Sequence, residues 1–465
     1  MSALDAPLLL RRLEPGDPLG DLTRLFLLGA DLEVEHAARA LAPADLAAFR
    51  RGKLIEQEGD RVRAPVRVVP FQGLRLLHDR EDGVLRRDHV AGIGPASRTL
   101  AALTLRRAVA TALDLGTGCG VQALLVGRQS DRVVALDVNP RAARFTEFNA
   151  RLNGLHNVEC RIGDLFAPVR GSSFDLVVAN PPFVVSPDSL FVFRDSPEPG
   201  DAISRTVVSQ IPAFLTEGGF AHVLVSWVCP AGGDWSAVPR QWIAGSPCDG
   251  WLLRYRTEDP LTYAATWNDP IRRRDPEAFR ATLDRWLDYY RSAGIKAIAT
   301  GAVILRRRSG PNWVRADDMP YGPSGQAGEH ILRVFDAGDF LDTLQDDREL
   351  LDETFELVDG HRLEQTLDYR DGGYQALTAR LRLDDGAGIA APVTPDALHL
   401  LFRLDGSRSL GRILQEAAED TGLDHEVLAR QAVVTARELL ARGFLRRGPG
   451  IQKDAPVKKP ARARE

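Results

Sequence analysis

The sequence predicts an α/β chain built on a doubly wound, mainly parallel sheet, with a small α+β module before it and another after it. Three observations carry this expectation. Between residues 109 and 306, seven strand-like apolar runs alternate with helix-like stretches, the pattern of βαβ units. Glycine-rich or acid-tipped turns follow the early strands, where open α/β sheets receive ligands. At 465 residues the chain is also too long for one ordinary domain, so flanking modules are expected.

Composition narrows the class. With 44% hydrophobic and 26% charged residues, the chain is an ordinary globular protein. Its net charge of −5 does not announce a nucleic-acid binder, so any such contact needs a local patch. Four cysteines, Cys119, Cys160, Cys229 and Cys248, are widely spaced with no C-x-x-C pair. That argues against a zinc ribbon or a disulfide scaffold and for a reducing cytoplasm. The apolar run Leu8-Leu9-Leu10 is too short for a signal peptide. No run approaches the roughly 18 apolar residues of a membrane span.

Taken in order, residues 1–89 form the N-terminal module. Helical spacing runs over 25–41, a short helix over 44–49, and strand-like pieces follow at 54–55, 62 and 66–69, with a Gly59-Asp60 turn. Helices followed by a β-ribbon outline a winged helix; a packing module is the plainer reading. Residues 90–310 are the main domain, entered by an amphipathic helix at 98–107. Strands are expected at 109–115, 132–137, 158–162, 174–179, 220–227, 251–256 and 297–306. Helices are expected at 121–127, 141–153, 202–215 and 276–293, the second opened by Pro140. Residues 311–392 read as linker or extension, and 393–447 as a C-terminal module with helices near 397–402, 410–420 and 425–442. The tail 448–465, with Lys458, Lys459, Arg462 and Arg464, reads as a disordered basic end.

The residues suited to chemistry sit at the strand ends. Asp114-Leu-Gly-Thr-Gly-Cys-Gly120 joins the first strand to a helix, and Gly116, Gly118 and Gly120 allow a tight turn and close approach of a ligand. The spacing G-x-G-x-G differs from the dinucleotide pattern G-x-G-x-x-G. It suits a ligand with an amino-acid end and an adenosine end, with Asp114 facing the ammonium directly or through water. A structural turn is the blander alternative. Asp137 closes the second strand, where a carboxylate can accept from a ribose diol; a helix-capping Asp is the alternative. Asp164, past the third strand, can accept from an adenine amino group, and Leu165 or Phe166 can cover the ring; Gly163-Asp164 is also a turn signature. After the fourth strand comes Asn180-Pro-Pro-Phe183. Two prolines stiffen the loop, and an amide beside a free carbonyl and a flat ring suits a planar –NH2 group.

Together these motifs resemble class I S-adenosylmethionine-dependent methyltransferases with an (Asn/Asp)-Pro-Pro-(Phe/Tyr/Trp) motif, over about residues 90–310. The resemblance implies a seven-stranded Rossmann-like sheet and S-adenosyl-L-methionine as cofactor, held by Asp114, Gly116, Thr117, Gly118, Gly120, Asp137, Asp164, Leu165 and Asn180. The stretch Asn149-Ala-Arg-Leu-Asn-Gly154 is similar to the family's second helix. The resemblance implies Asn180, Pro181 and Phe183 as the catalytic group. The Asn180 side chain and the Pro181 carbonyl would hold two N–H bonds, and Phe183 would stack on the acceptor. No metal is called for. A mobile loop at 184–200, with Phe191, Phe193, Arg194 and Asp195, is expected to close over the substrate.

The resemblance extends to HemK-like protein-glutamine methyltransferases, RsmC-like ribosomal RNA guanine methyltransferases and adenine amino methyltransferases. HemK-like enzymes usually carry Tyr at the position of Phe183, have a helical N-terminal module, and end near the last sheet strand. The C-terminal module weakly resembles winged-helix or PqqD-like modules. A macromolecular acceptor is therefore expected, with an RNA or DNA base slightly ahead of a protein glutamine because wing-like modules and a basic tail suit phosphate contact. A small-molecule or peptide-tailoring N-methyltransferase is an alternative, and a non-enzymatic cofactor-binding adaptor another.

Overall fold

The computed structural model describes residues 5–14, 16–80, 86–196, 198–230, 232–272, 274–394, 400–421 and 424–448. The chain divides into two compact units, Met1–Ala101 with Arg106–Ala316, and Ala102–Leu105 with Asp317–Glu465.

The large sheet has eight strands among the described residues. They are β1 (Val109–Leu115), β2 (Ser130–Asp137), β3 (Val158–Ile162), β4 (Phe174–Ala179), β5 (Leu215–Val228), β6 (Cys248–Glu258), β7 (Ile298–Arg307) and β8 (Val314–Asp318). Their spatial order is β8-β6-β7-β5-β4-β1-β2-β3. Strands β5, β4, β1, β2 and β3 run parallel, while β7 is antiparallel to both β5 and β6. The seven expected strands are joined by β8, which falls in a stretch that reads as loop. It is five residues long and follows Pro311-Asn312, so it carries little signal of its own. Val314 and Ala316 pack against the core, and that long-range contact makes the strand.

The central strands are nearly continuous apolar runs because helices cover both faces. In β4 the last four residues, Leu176 to Ala179, are all buried. Four helices matter here: α1 (Val121–Gly127), α2 (Pro140–Leu152), α3 (Ala202–Gln210) and α4 (Pro276–Ser292). Asn139 caps α2 by accepting from the Arg141 N–H, with Pro140 at the first helical position. Asp275 caps α4 through the N–H groups of Glu277 and Ala278. One core cluster joins Leu113, Leu136, Val177, Val207, Val223 and Val303 across the sheet and its covering helices.

The N-terminal part runs helix Pro18–Leu22 into a wide turn of helix at Thr23–Leu28, then strand Leu32–Glu33, helices Val34–Leu41 and Leu46–Arg51, and strands Glu56–Glu58 and Arg61–Arg63. The single helix expected over 25–41 is broken, because Gly29 takes φ +68° and ends the first helix. Residues 66–69 do not join this small sheet. Val66–Phe71 instead pairs with Leu74–Asp79 as a separate hairpin.

In the second unit, the region 311–392 that reads as linker holds helix Gly328–Thr343, strand Thr354–Leu357, hairpin strands His361–Arg370 and Gly373–Leu383, and strand Ala390–Val393. Helices Leu410–Thr421 and His425–Ala441 and strand Leu445–Arg447 follow. The helix expected at 397–402 lies partly, and the basic tail almost wholly, outside the described residues. Among the described residues no helix is long and apolar enough to cross a membrane.

Candidate functional site

Parallel pairing brings four strand ends to one edge. Leu115 of β1 sits beside both Leu136 of β2 and Ala179 of β4, and Asp137 of β2 lies opposite Ile162 of β3. The loops that leave these ends line a cavity of about 430 Å³, within the size range of small-molecule sites.

The glycine loop stays anchored to its neighbour strand, since the N–H groups of Gly116 and Thr117 both donate to the Leu136 carbonyl, at 2.8 and 3.0 Å. Gly116 takes φ +77°, and a Cβ there would lie 3.6 Å from the Asn180 carbonyl. That distance is an ordinary contact; it is the positive φ that would strain any side chain here, where the glycine loop meets the Asn-Pro-Pro loop. Gly118 donates its N–H to Asp137 Oδ2 at 2.9 Å, and Asn139 donates to Asp137 Oδ1 at 2.9 Å. These bonds aim the Asp137 carboxylate, and each oxygen retains a lone pair. Burial raises its pKa, against the opposing backbone hydrogen bonds.

Of the sequence candidates, Gly116, Thr117, Gly118, Asp137, Asp164, Leu165, Asn180 and Pro181 all line the cavity. Three do not. Asp114 is 1% exposed and lies under the loop, where its Oδ2 accepts from Thr117 Oγ1 at 2.7 Å and the Ala123 N–H at 2.9 Å. Through Oδ2 it braces the turn into α1. Gly120 sits at the start of α1, behind the lining. Phe183 is 6% exposed and packs edge-on against Trp267, with ring centroids 6.1 Å apart and planes at 77°. The flat surface expected over an acceptor is therefore turned into the core in this arrangement. Phe166 is also core, stacked on Phe214 at 4.4 Å, which leaves Leu165 as the lining residue of that pair.

The Asn180 side chain forms no hydrogen bond among the described residues, although it is half-buried and lines the cavity. The Pro181 carbonyl already accepts from the Phe183 N–H at 2.7 Å, closing a tight three-residue turn that leaves one lone pair.

The loop 184–200, expected to be mobile, is tied down. Tyr290 donates its hydroxyl to the Val185 carbonyl at 2.7 Å, and the Val185 N–H donates to the Tyr263 hydroxyl at 3.2 Å. Trp286 Nε1 donates to Asp188 at 2.8 Å. Asp195 is buried and gathers the N–H groups of Leu190 and Phe191 with the Arg194 guanidinium. The Arg194 side chain lies over the rings of Phe191 and Trp286.

One wall of the cavity carries no sequence signal. Arg87, His89, Val90, Gly92, Ser97 and Gln122 also line the cavity. The strap around His89 is held on one side by Asp79, which accepts from the Val90 N–H at 2.8 Å. On the other side the Val192 N–H donates to the Arg87 carbonyl at 3.3 Å, and Phe193 packs on His89 with centroids 5.7 Å apart. No local motif marks this strap; only its tertiary partners reveal it.

Residues 84–195 match the family described as Methyltransferase small domain, a stretch that runs from this strap through β1–β4 to the Asn180 loop. Residues 6–65 and 333–447 match two families described as domains of unknown function, DUF7059 and DUF7782. Release factor glutamine methyltransferase of Vibrio cholerae serotype O1 is 35% identical over 121 residues, which cover 23% of this chain and 42% of that protein. Ribosomal RNA small subunit methyltransferase C of Alcanivorax borkumensis is 32% identical over 120 residues, covering 25% of this chain and 33% of that protein. The crystal structure of Trm5b from Pyrococcus abyssi aligns over 54% of this chain and 62% of its own, at 16% identity and a TM-score of 0.31. The chain spans less than half the length of these two curated relatives.

Proposed function

We propose that this chain transfers a methyl group from S-adenosyl-L-methionine to a planar amide or amino nitrogen of a macromolecule, with a protein glutamine side chain as the leading acceptor. One observation carries the reading: an Asn180 amide left unused by the fold lines the same cavity as Asp137 and the glycine loop.

The residues present suit the cofactor. The cavity holds about 430 Å³, Asp137 is aimed by two N–H donors, and Gly116 and Gly118 add no side chain to the lining. Asp137 would hold a ribose diol, Asp164 and Leu165 the adenine side, and the glycine loop the middle. When bound, the cofactor supplies an electrophilic methyl group on a sulfonium.

The rest falls to the chain. An amide or aromatic amine is a weak nucleophile because its lone pair is delocalised. Asn180 Oδ1 accepts one N–H of the acceptor, and the remaining lone pair of the Pro181 carbonyl accepts the other. Both acceptors orient the nitrogen and stabilise the positive charge that grows on it as the N–C bond forms and the S–C bond to the methyl breaks; the cofactor would leave as the neutral thioether, and the nitrogen returns to neutrality by losing one N–H proton to water. Pro181 and Pro182 hold that pair rigid. Phe183 contributes through Trp267 as part of the loop's footing, not as a stacking surface.

Glutamine leads because the Vibrio cholerae relative bears that activity in its name. Between Asp317 and Gly448, 26 acidic residues also stand against 14 arginines and no lysine, a balance that disfavours phosphate contact over that stretch as a whole. A nucleic-acid base is the second reading, supported by the ribosomal RNA relative. From Pro18 onward the N-terminal elements run helix, strand, helix, helix and two strands, an order compatible with a winged helix, which also supports it.

The test is Asn180→Ala, with S-adenosylhomocysteine binding followed by calorimetry and turnover followed with labelled cofactor. Binding should stay near normal while kcat falls by about 10² or more. Full turnover in the variant would overturn the assignment.

A further inference from the structure

Phe193 is a large apolar side chain left 39% exposed, and it lines the cavity together with Asn180, Pro181 and Pro182. The turn that carries it is fixed. The N–H groups of Arg194 and Asp195 both donate to the Phe191 carbonyl, at 3.1 and 2.9 Å, and the Val192 N–H donates to the Arg87 carbonyl at 3.3 Å. The ring rests on His89 and Phe191, with centroids 5.7 and 5.6 Å away. An isolated parallel bridge joins Val184 to Asp195, so this turn runs beside the Asn180–Phe183 loop. Apolar ring surface held open in a ligand-sized cavity is surface that a ligand gains by covering.

Position says which part of the ligand covers it. The glycine loop follows β1, Asp137 ends β2 and Asp164 follows β3, so the groups suited to the cofactor stand at those three ends. Phe193 comes after β4, on the side of Asn180, and borders the acceptor's share of the cavity. The ring first suited to the acceptor, Phe183, packs on Trp267, whereas Phe193 keeps an open aromatic surface. A glutamine side chain suits both groups at once. Its planar amide meets Asn180 and the Pro181 carbonyl, and the two methylenes behind that amide offer apolar surface to the ring.

We propose that Phe193 determines acceptor specificity, its ring covering the two-methylene stem of the acceptor glutamine while Asn180 holds the amide. The proposal rests on the methyl-transfer and glutamine reading above.

The experiment compares three probes by calorimetry on the full chain. S-adenosylhomocysteine fills the cofactor half alone. Two bisubstrate analogues replace its sulfur with a nitrogen that carries a two-carbon link, in one to the side-chain amide nitrogen of N-acetylglutamine methylamide, in the other to the 6-amino nitrogen of adenine. The wild-type chain should bind the glutamine analogue more tightly than S-adenosylhomocysteine. Phe193→Ala should weaken the glutamine analogue about tenfold, the scale of uncovering two methylene groups, and leave S-adenosylhomocysteine unchanged. Phe193→Leu keeps apolar cover and should retain most of the affinity. Equal loss for both probes in Phe193→Ala would make the ring a support of the loop alone, and no loss for the glutamine analogue would place the stem elsewhere; each overturns the proposal. If Phe193→Ala fails to fold, Phe193→Asn decides, since Asn suits a turn and removes the apolar surface; the same selective loss is expected, and unchanged affinity overturns the proposal. A wild-type chain that prefers the adenine analogue, or gains nothing from the glutamine link, overturns the glutamine reading and the proposal with it. One that binds no probe overturns the cofactor reading, a result distinct from all of these.

Discussion

Asp114 lies under the glycine loop, and burial raises its pKa to about 7, with the bonds from Thr117 and Ala123 opposing and the Asp137 charge adding to the rise. In the unfolded chain it titrates near the ordinary Asp value of about 3.9. Between those two values the folded state binds more protons than the unfolded state, so this group makes stability fall as pH rises from about 4 to about 7, with no further change above. Asp114→Asn keeps an oxygen for the Ala123 N–H and removes the titration. The urea midpoint of the wild type relative to this variant should therefore decline over that pH interval and then level off. A constant difference from pH 4 to 8 would show that Asp114 titrates normally.

At the scale of elements, α2 does more than cover the sheet. Asn149 accepts from the Leu77 N–H and donates to the Leu77 carbonyl, both at 2.8 Å, and donates to the Cys119 carbonyl at 2.8 Å. One helical turn on, Asn153 accepts from the Arg75 N–H and donates to the Arg75 carbonyl, both at 2.8 Å. Side chains four apart on a helix rise about 6 Å, and residues two apart on a strand span about 6.8 Å. The two asparagines therefore act as a substitute neighbour for the open edge of Leu74–Asp79. They bind the hairpin that precedes the cavity strap to the helix that follows β2. Asn149→Leu strands two buried carbonyls and an N–H, each costing about 1–3 kcal/mol. Its chemical-denaturation stability should fall by about 3 kcal/mol, whereas a change under about 0.5 kcal/mol would deny the linkage.

At the scale of the whole molecule, the acceptor is the open chemistry, and the fate of the methyl group identifies it. With methyl-labelled cofactor in a lysate that lacks the protein, added wild-type chain should place label in material that survives nuclease and is lost to protease. Label lost to nuclease would reverse the order of the two macromolecular readings. Label only in small molecules would sink both. Net charge cannot choose among them: −5 over 465 residues is too even a balance to select a partner.

The sequence by itself determined the parallel half of the sheet and the residues at its ends. Gly116, Asp137, Asp164 and Asn180 were legible because strand, turn and helix start are local patterns, and parallel pairing then carries their ends to one edge. Tertiary structure decided what faces the cavity. Asp114 and Phe183 carry the right residue types, yet one is roofed by its own loop and the other is drawn into the core by Trp267, 84 positions away in the chain. The strap around His89 has no sequence signature, because it acquires its place from a partner elsewhere in the chain, Asp79. Local patterns place a residue at a strand end; only the packing of distant segments sets whether its side chain meets a ligand or the core.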